Sequence, residues 1–183
     1  MRRPIMLALG LCLAVALPLA AQVALTRSAP SDIRTDLIRQ LDDAANKLTQ
    51  LAEAVSQEKY TWRPAQGVRS VSEVFMHVAG ANYLFPRFVG VQAASPLAAD
   101  AETAVTTKAQ VVENLKKSFE SMRTVIRGVS DADLNKGTNM FGQQTTYRNV
   151  LFTAVSHAHE HLGQMIAYAR MNNVTPPWSM AGN

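Results

Sequence analysis

The chain of 183 residues is poor in cysteine, glycine, proline and charge, and each shortage excludes a class of protein. A single Cys, Cys12, excludes an internal disulfide framework and any Cys-rich zinc site. The 9 Gly and 8 Pro are too few for a low-complexity or collagen-like chain. Charged residues make up 17% and hydrophobic residues 48%, so the chain is not a disordered tail and can build the core of one ordinary domain.

Residues 1–21 have the three zones of a secretory signal peptide. Arg2 and Arg3 form a short positive start, an uncharged apolar run covers 5–17, and small residues at 20 and 21 provide a cleavage site before Gln22. A transmembrane anchor is the rival interpretation. However, the apolar run is shorter than the roughly 20 residues of a membrane span, and no basic cluster follows it. We therefore expect a cleaved signal peptide, no stable membrane anchor afterwards, and a periplasmic or secreted protein.

Removal of this segment changes the charge balance. It contains two of the 18 Lys and Arg and none of the 14 acidic residues, so the remaining chain has 16 basic and 14 acidic side chains and a net charge of +2. These Lys and Arg are scattered among acidic residues, whereas nucleic-acid binding requires a basic stripe. We therefore expect no nucleic-acid partner. The only Cys also leaves with the segment, which removes a thiol nucleophile.

Four long segments in the rest of the chain have apolar residues at steps of three and four, the pattern of amphipathic helices. Ser31 or Asp32 is the predicted N-cap of the first segment. Ser70 and Glu73 form a predicted capping box for the second, and Pro86 kinks or ends it. The third carries a bundle seam of Val112, Leu115, Phe119, Met122, Ile126 and Val129. The four predicted helices cover 31–57, 70–86, 103–129 and 145–172.

The connections between the segments are polar, and two of them lie at 93–101 and 135–144. No regular alternation of polar and apolar residues indicates a β-meander. The sequence therefore predicts an all-α protein with the architecture of a four-helix bundle. The predicted organisation is a signal peptide at 1–21, a short linker at 22–30, the bundle at 31–175 and a C-terminal tail at 176–183.

Three of the 4 His lie inside the fourth segment, in a stretch of only five residues. His157 and His161 are four residues apart, so on a helix they share one face, about 6 Å apart. Two imidazoles at this spacing can bind one metal ion. The same face carries Val150 and Ala154, which directs the His pair towards the bundle interior. His159 points about 200° away from His157 and cannot join the pair.

His77 is the predicted third ligand. It lies on the second helix beside the apolar stripe, and Ala81, one turn later, leaves space for an ion. Three neutral imidazoles from two helices form an open tripod, in which water or substrate takes the remaining coordination positions. Such a site accepts a divalent metal ion, and three His ligands leave zinc, nickel, iron and manganese open.

Two simpler interpretations of the His pair stay open. His at this spacing also occur as solvated side chains or as hydrogen-bonded residues of a core. The stretch around Glu160 is not the His-Glu-x-x-His motif of zinc peptidases, because Gly163 stands where the second His would be. We expect His159 at the surface or behind the ligands, and Glu160 facing a partner helix or water.

The run HAHEHLGQ at 157–164 resembles the last helix of the DinB-like family of four-helix metalloproteins. WRP at 62–64 and SVSEVFMH at 70–77 are similar to that family as well. In the family, one His of the second helix and the His pair of the fourth hold a divalent ion. The resemblance therefore implies a ligand role for three residues: His77, His157 and His161.

One position departs from the family pattern. Leu162 stands where many members have Arg, so the resemblance does not carry an anion contact over to this chain. The resemblance also implies thiol-transfer or thiol-dependent isomerase chemistry, which some members perform. Export argues against a thiol role, because low-molecular-weight thiols are scarce in an oxidising compartment.

Two functions of different classes fit these features. The first is a metal-dependent hydrolase or transferase with a small-molecule substrate, in which Glu160, Gln164 or Tyr168 orients ligands or relays protons. The second is a non-catalytic metal-binding or stress-related bundle, whose ion is structural or stored. The sequence offers no convincing fourth protein ligand, which favours the enzyme. An interaction module with vestigial His is a third, weaker interpretation, and a homodimer is compatible with the sequence.

Overall fold

The computed structural model describes residues 32–91 and 95–180. The predicted signal peptide and linker, at 1–30, lie outside these residues. In chain order the elements are α1 (Ile33–Ala54), α2 (Val71–Leu84), α3 (Ala101–Ala104), α4 (Lys108–Gly128), β1 (Gly137–Met140), β2 (Gln143–Thr146) and α5 (Tyr147–Met171). The four long helices confirm the predicted mostly helical bundle.

Three of the long helices begin at side-chain caps, which explains why these boundaries are visible in the sequence. Asp32 accepts a hydrogen bond from the backbone N–H of Arg34 and so caps α1. Ser70 and Glu73 form a complete capping box at the start of α2, as predicted. The Thr146 side chain accepts a hydrogen bond from the Asn149 N–H and so caps α5. These caps satisfy backbone donors that the first turn of a helix leaves unpaired.

The third predicted helix differs from the structure at its start and along its buried face. The helix α4 begins at Lys108, after the separate short helix α3, rather than at 103. Val111 is fully buried, whereas Val112 of the predicted seam is partly buried and packs against the core. The remaining seam residues are buried as predicted: Leu115, Phe119, Met122, Ile126 and Val129.

A β-hairpin occupies the connection between α4 and α5, where the sequence predicted only a polar loop. Strands β1 and β2 pair antiparallel, with Met140 opposite Gln143. The two turn residues, Phe141 and Gly142, have φ angles of 52° and 86°. Positive φ at both central residues is the requirement of a tight hairpin turn whose twist matches the strands. The Asn139 side chain accepts a hydrogen bond from the Gly142 N–H and stabilises the turn.

The four long helices surround one core. Each of α1 and α2 packs against both α4 and α5. Helices consecutive in the chain, α1 and α2, therefore face each other across the core instead of lying side by side. The largest fully buried side chains come from all four helices and from the loop before α2; they include Leu41, Leu48, Tyr60, Phe75, Phe119 and Met165.

Two further features complete the described part of the chain. After α5, a 3₁₀ turn at Pro177–Ser179 contacts α1, and Lys47 Nζ lies 6.0 Å from the centre of the Trp178 ring. Within residues 32–91 and 95–180, no helix combines the length and the apolar character that crossing a membrane requires.

Candidate metal centre

Two adjacent helices bring the three predicted His together. His77 lies near the middle of α2, and His157 and His161 lie one turn apart on α5. Because α2 and α5 pack directly against each other, the three rings meet on the surface that joins these helices. All three imidazoles are partly buried, so their rings are screened by protein but not sealed from solvent.

The Nε2 atoms of the three rings converge. His157 Nε2 lies 3.2 Å from His77 Nε2 and 3.1 Å from His161 Nε2. One ring nitrogen from each residue lies within 4.8 Å of the others. The aromatic ring of Phe85 packs against His157 with its centre 5.7 Å away and forms an apolar wall beside the cluster.

These distances fit the donor set of a bound divalent ion. A tetrahedral ion with bonds of about 2.1 Å separates its ligand nitrogens by about 3.4 Å, and an octahedral ion separates them by about 3.0 Å. The two measured separations, 3.1 and 3.2 Å, lie in this interval. The residues present therefore suit an ion held by three imidazoles.

Hydrogen bonds at the outer nitrogens determine the tautomers of two rings. His77 Nδ1 lies 3.0 Å from the Glu102 carboxylate, and His161 Nδ1 lies 2.8 Å from Gln164 Oε1. Both partners accept, so both Nδ1 atoms carry the proton, and each Nε2 presents a lone pair to the cluster. A single proton on His157 Nε2 can satisfy only one of these lone pairs, whereas one cation would satisfy all three nitrogens.

The local environment favours the neutral form of His157 and His77. Burial lowers the pKa of His157 from 6.5 to about 4, and the positive charges that His161, His77 and Arg69 can carry act in the same direction. Burial also lowers the pKa of His77, although the hydrogen bond that His77 donates to Glu102 opposes the shift. Neutral imidazole is the form that binds metal, because protonation removes the lone pair.

Glu102 is a residue of the candidate site that the sequence analysis missed. It belongs to the short helix α3 and lies 25 positions from His77, in a stretch without a recognisable motif. Burial would raise the pKa of its carboxyl, but hydrogen bonds from Arg69 and His77 outweigh burial and lower it. Glu102 is therefore an anion that orients His77 from behind.

The predicted ligand-orienting residues divide into two groups. Gln164 and Tyr168 lie behind His161, and the Gln164 amide donates to Tyr168 Oη at 3.1 Å. Glu160 is exposed, and within the described residues no hydrogen bond joins it to the three His. It lines a surface groove of about 400 Å³ together with His157, Ser156 and Phe152.

His159 lies outside the cluster, as predicted from its position on the helix. Its Nε2 lies 3.0 Å from the backbone carbonyl oxygen of Gln40 on α1, to which it donates. This contact ties α5 to α1 on the side away from His157. His159 therefore serves as a natural control for the other three imidazoles.

A four-helix bundle with three imidazoles converging between two of its helices defines the class of this protein. The sequence model of the DinB superfamily matches residues 40–165. The chain therefore belongs to the DinB superfamily, which confirms the family resemblance of its His motif.

Individual relatives agree with this assignment. The Bacillus subtilis protein YjoA is 26% identical over 129 residues, which cover 68% of this chain and 81% of YjoA. A DinB-like protein from Bacillus cereus has a crystal structure with a TM-score of 0.67 at 17% identity; the match covers 77% of this chain and 93% of that one.

A third relative, YfiT from Bacillus subtilis, is described as a probable metal-dependent hydrolase with an unusual four-helix bundle topology. Its TM-score is 0.63 at 19% identity, and the match covers 81% of this chain and 93% of YfiT. At such identities the likeness of the two structures shows a shared fold alone.

Proposed function

We propose that this protein is a metal-dependent hydrolase or transferase that binds one divalent ion through His77, His157 and His161 and acts on a small molecule. The observation that carries the proposal is the convergence of three Nε2 atoms, with separations of 3.1 and 3.2 Å, which suits a single ion. The description of YfiT as a probable metal-dependent hydrolase supports the same reaction class.

An open coordination position favours an enzyme over a storage or structural site. Among the described residues, the group able to hold an ion consists of three His with no fourth His, Cys, Asp or Glu. Catalytic sites characteristically leave a position for water or substrate, whereas structural sites use four protein ligands. A groove lined by Phe152, Ser156 and Glu160 also reaches His157, which provides room for a small molecule beside the cluster.

The residues around the centre have separate tasks. His77, His157 and His161 would hold the ion, which supplies Lewis acidity to a substrate or to water when bound. Glu102 and Gln164 hold the outer nitrogens of His77 and His161 and keep the Nε2 lone pairs directed at the ion position. Three neutral ligands preserve the ion's full positive charge. The donor set leaves zinc, nickel, iron and manganese as candidates.

Metal binding is tested by measuring the metal content of residues 22–183 by mass spectrometry. We expect about one divalent ion per chain in the wild type and loss of most of it in His77→Ala, His157→Ala and His161→Ala. His159→Ala is the matched control, because it removes an imidazole of the same helix outside the cluster. Unchanged metal in the three variants, or equal loss in His159→Ala, contradicts the proposal.

Catalysis requires its own test. The loaded and the chelator-stripped protein are compared on panels of ester, amide and thiol-transfer substrates. We expect turnover of at least one substrate that disappears on stripping, returns with metal and is absent in His157→Ala. Equal rates with and without metal contradict an enzyme. A loaded protein that turns over nothing supports the alternative, a non-catalytic metal-binding or stress-related bundle.

Export is the second part of the proposal. The charge and hydropathy zones of residues 1–21 support a signal peptide cleaved before Gln22, hence a periplasmic or secreted protein. N-terminal sequencing of the protein from a fractionated culture tests this. We expect a mature chain beginning at Gln22 in the periplasm or medium. An intact N-terminus in the cytoplasmic or membrane fraction contradicts export. The small net charge supports the absence of a nucleic-acid partner.

A further inference from the structure

Arg69 immediately precedes the N-cap of α2. It is hydrogen-bonded to both groups of residues that hold the outer nitrogens of His77 and His161. Its Nε donates to Glu102 Oε1 at 2.7 Å, and Glu102 in turn holds His77. Its backbone carbonyl accepts a hydrogen bond from Tyr168 Oη at 3.2 Å, at the end of the chain of groups that holds His161. One residue outside the His cluster therefore terminates both hydrogen-bond chains.

The carbonyl of Arg69 determines the direction of the chain that leads to His161. A carbonyl only accepts, so the Tyr168 hydroxyl donates to it. The Tyr168 oxygen then accepts from the Gln164 amide nitrogen at 3.1 Å, which turns Gln164 Oε1 towards His161. Since Oε1 also only accepts, His161 Nδ1 must donate at 2.8 Å, and the lone pair is left on Nε2.

The side chain of Arg69 determines the direction of the other chain. A guanidinium only donates, so Glu102 accepts from it as a carboxylate. The second carboxylate oxygen lies 3.0 Å from His77 Nδ1 and also only accepts. His77 must therefore carry its proton on Nδ1, and its Nε2 likewise presents a lone pair.

The start of α2 holds Arg69 in place for this double contact. The next residue, Ser70, is locked by the capping box, and Val71 N–H donates to the Trp62 carbonyl at 3.0 Å. The Trp62 ring packs edge-on against Tyr168, with 5.4 Å between the ring centres. The loop containing Trp62 therefore supports both the backbone of Arg69 and the tyrosine that points at it.

We infer that Arg69 is a positioning residue that sets the tautomers of His77 and His161 and thereby directs both Nε2 lone pairs at one point. Its side chain acts on His77 and its backbone carbonyl acts on His161. The consequence for metal affinity rests on the proposed function, whereas the tautomers are a property of the metal-free protein.

A nearby ion pair offers a matched control. Arg63 donates to Glu73 at 2.9 Å, and its side chain is 41% exposed, close to the 43% of Arg69. It lies in the same loop, and neither Arg63 nor Glu73 contacts an imidazole. Arg63 also donates to the Val68 carbonyl, so its loss reports the general effect of removing an Arg–Glu pair and its loop contact, while every member of the two hydrogen-bond chains is kept.

The experiment measures imidazole tautomers by ¹⁵N NMR in the metal-free protein above the pKa values of the His residues. We expect Nδ1–H at His77 and His161 in the wild type. Arg69→Met should move His77 towards a mixture of tautomers and leave His161 largely unchanged. Tyr168→Phe should do the opposite. Arg63→Met should change neither ring.

A second readout uses Co²⁺, whose visible spectrum reports its coordination. Outer partners of His ligands contribute about 10- to 100-fold to metal affinity. We therefore expect Arg69→Met to weaken Co²⁺ binding about tenfold and to alter the spectrum. Arg69→Lys, which keeps a donor, should recover most of the affinity, and Arg63→Met should match the wild type. Circular dichroism checks that each variant is folded.

The outcomes separate the two claims. Wild-type tautomers at His77 in Arg69→Met, or equal changes in Arg63→Met, overturn the inference. A wild type that binds no Co²⁺ overturns the proposed function, while the NMR result still decides the role of Arg69. If Arg69→Met does not fold, Glu102→Gln replaces it: an amide can donate to His77 Nδ1, and we expect the proton of His77 to move to Nε2.

Discussion

His157 is the imidazole that joins the other two, because its Nε2 lies within 3.2 Å of both His77 Nε2 and His161 Nε2. A proton bound there would place a charge in a partly apolar site beside Phe85. This unfavourable placement is the physical reason for a pKa of about 4. The imidazole in the middle of the cluster is therefore also one that resists protonation.

The lowered pKa of His157 predicts how the metal-free protein responds to acid. Between pH 6.5 and about 4 the unfolded chain binds a proton at His157 that the folded chain does not. Stability is therefore fully present above pH 6.5 and is lost as the pH falls through this window. After allowance for the partial exposure of His157, we expect the free energy of unfolding to fall by about 1–3 kcal/mol over this window.

Urea unfolding at a series of pH values checks this prediction. His157→Gln should reduce the dependence between pH 6.5 and 4.5, and the part that remains comes from the lowered pKa of His77. His159→Gln, on the opposite side of α5, should keep the wild-type dependence. A wild-type free energy of unfolding that stays constant over this range contradicts a neutral, desolvated His157.

At the scale of single elements, the start of α2 links helix formation to the candidate site. The capping box of Ser70 and Glu73 fixes the first turn of the helix and, with it, the preceding carbonyl of Arg69. This capping box, which the sequence alone predicts, therefore also affects the His cluster, because the helix that it starts carries His77.

Ser70→Ala is expected to lower the free energy of unfolding by about 1 kcal/mol, since it removes a side-chain cap. Chemical denaturation of the metal-free protein measures the change. Thr107→Ala is the matched control: Thr107 occupies the N-cap of α4, but its side chain makes no cap hydrogen bond. Equal losses in the two variants would show that the capping box contributes nothing special.

The hairpin before α5 supplies a second prediction for an element. Gly142 has φ of 86°, so Gly142→Ala should destabilise the protein by about 1–2 kcal/mol. Gly163 is an exposed residue of α5, and a Cβ added there meets open space, so Gly163→Ala should instead stabilise by about 0.5–1 kcal/mol. Thermal unfolding of both variants is the measurement, and shifts of the same sign contradict this assignment.

At the scale of the whole molecule, an ion between α2 and α5 would join two helices that lie 80 positions apart at His77 and His157. Such an ion would bind the folded protein far better than the unfolded chain and would therefore stabilise the fold by mass action. At a free metal concentration of 100 times Kd, the expected stabilisation is about 2.7 kcal/mol.

For a domain of this size, this stabilisation corresponds to a rise in Tm of about 5–10 °C. Calorimetry with zinc and with a chelator measures it. His157→Ala should abolish the rise, whereas His159→Ala should retain it. A Tm that is the same with and without metal, in a protein whose His cluster is intact, contradicts a metal centre between the helices.

The sequence by itself determined the features that depend on neighbouring residues. Helix periodicity and side-chain caps act over three or four residues, so the sequence predicted the long helices and the caps at Asp32 and Ser70. The shared face of His157 and His161 follows from the same periodicity. The signal peptide at 1–21 and the ligand roles stay predictions, to be tested as proposed above.

Only the tertiary structure decided the features that join distant parts of the chain. Helices α1 and α2 lie across the core from each other, because long-range packing selects among arrangements that are locally equivalent. The hairpin is a local element, but its turn pair of Phe141 and Gly142 is not one of the usual hairpin pairs, so the sequence indicated only a polar loop. Glu102 contacts His77 from a short helix, and the carbonyl of Arg69 accepts a hydrogen bond from Tyr168, which lies 99 positions later in the chain. Hydrogen bonds between residues so far apart produce no periodic pattern in a sequence. They can therefore be identified only from the packed arrangement of the helices.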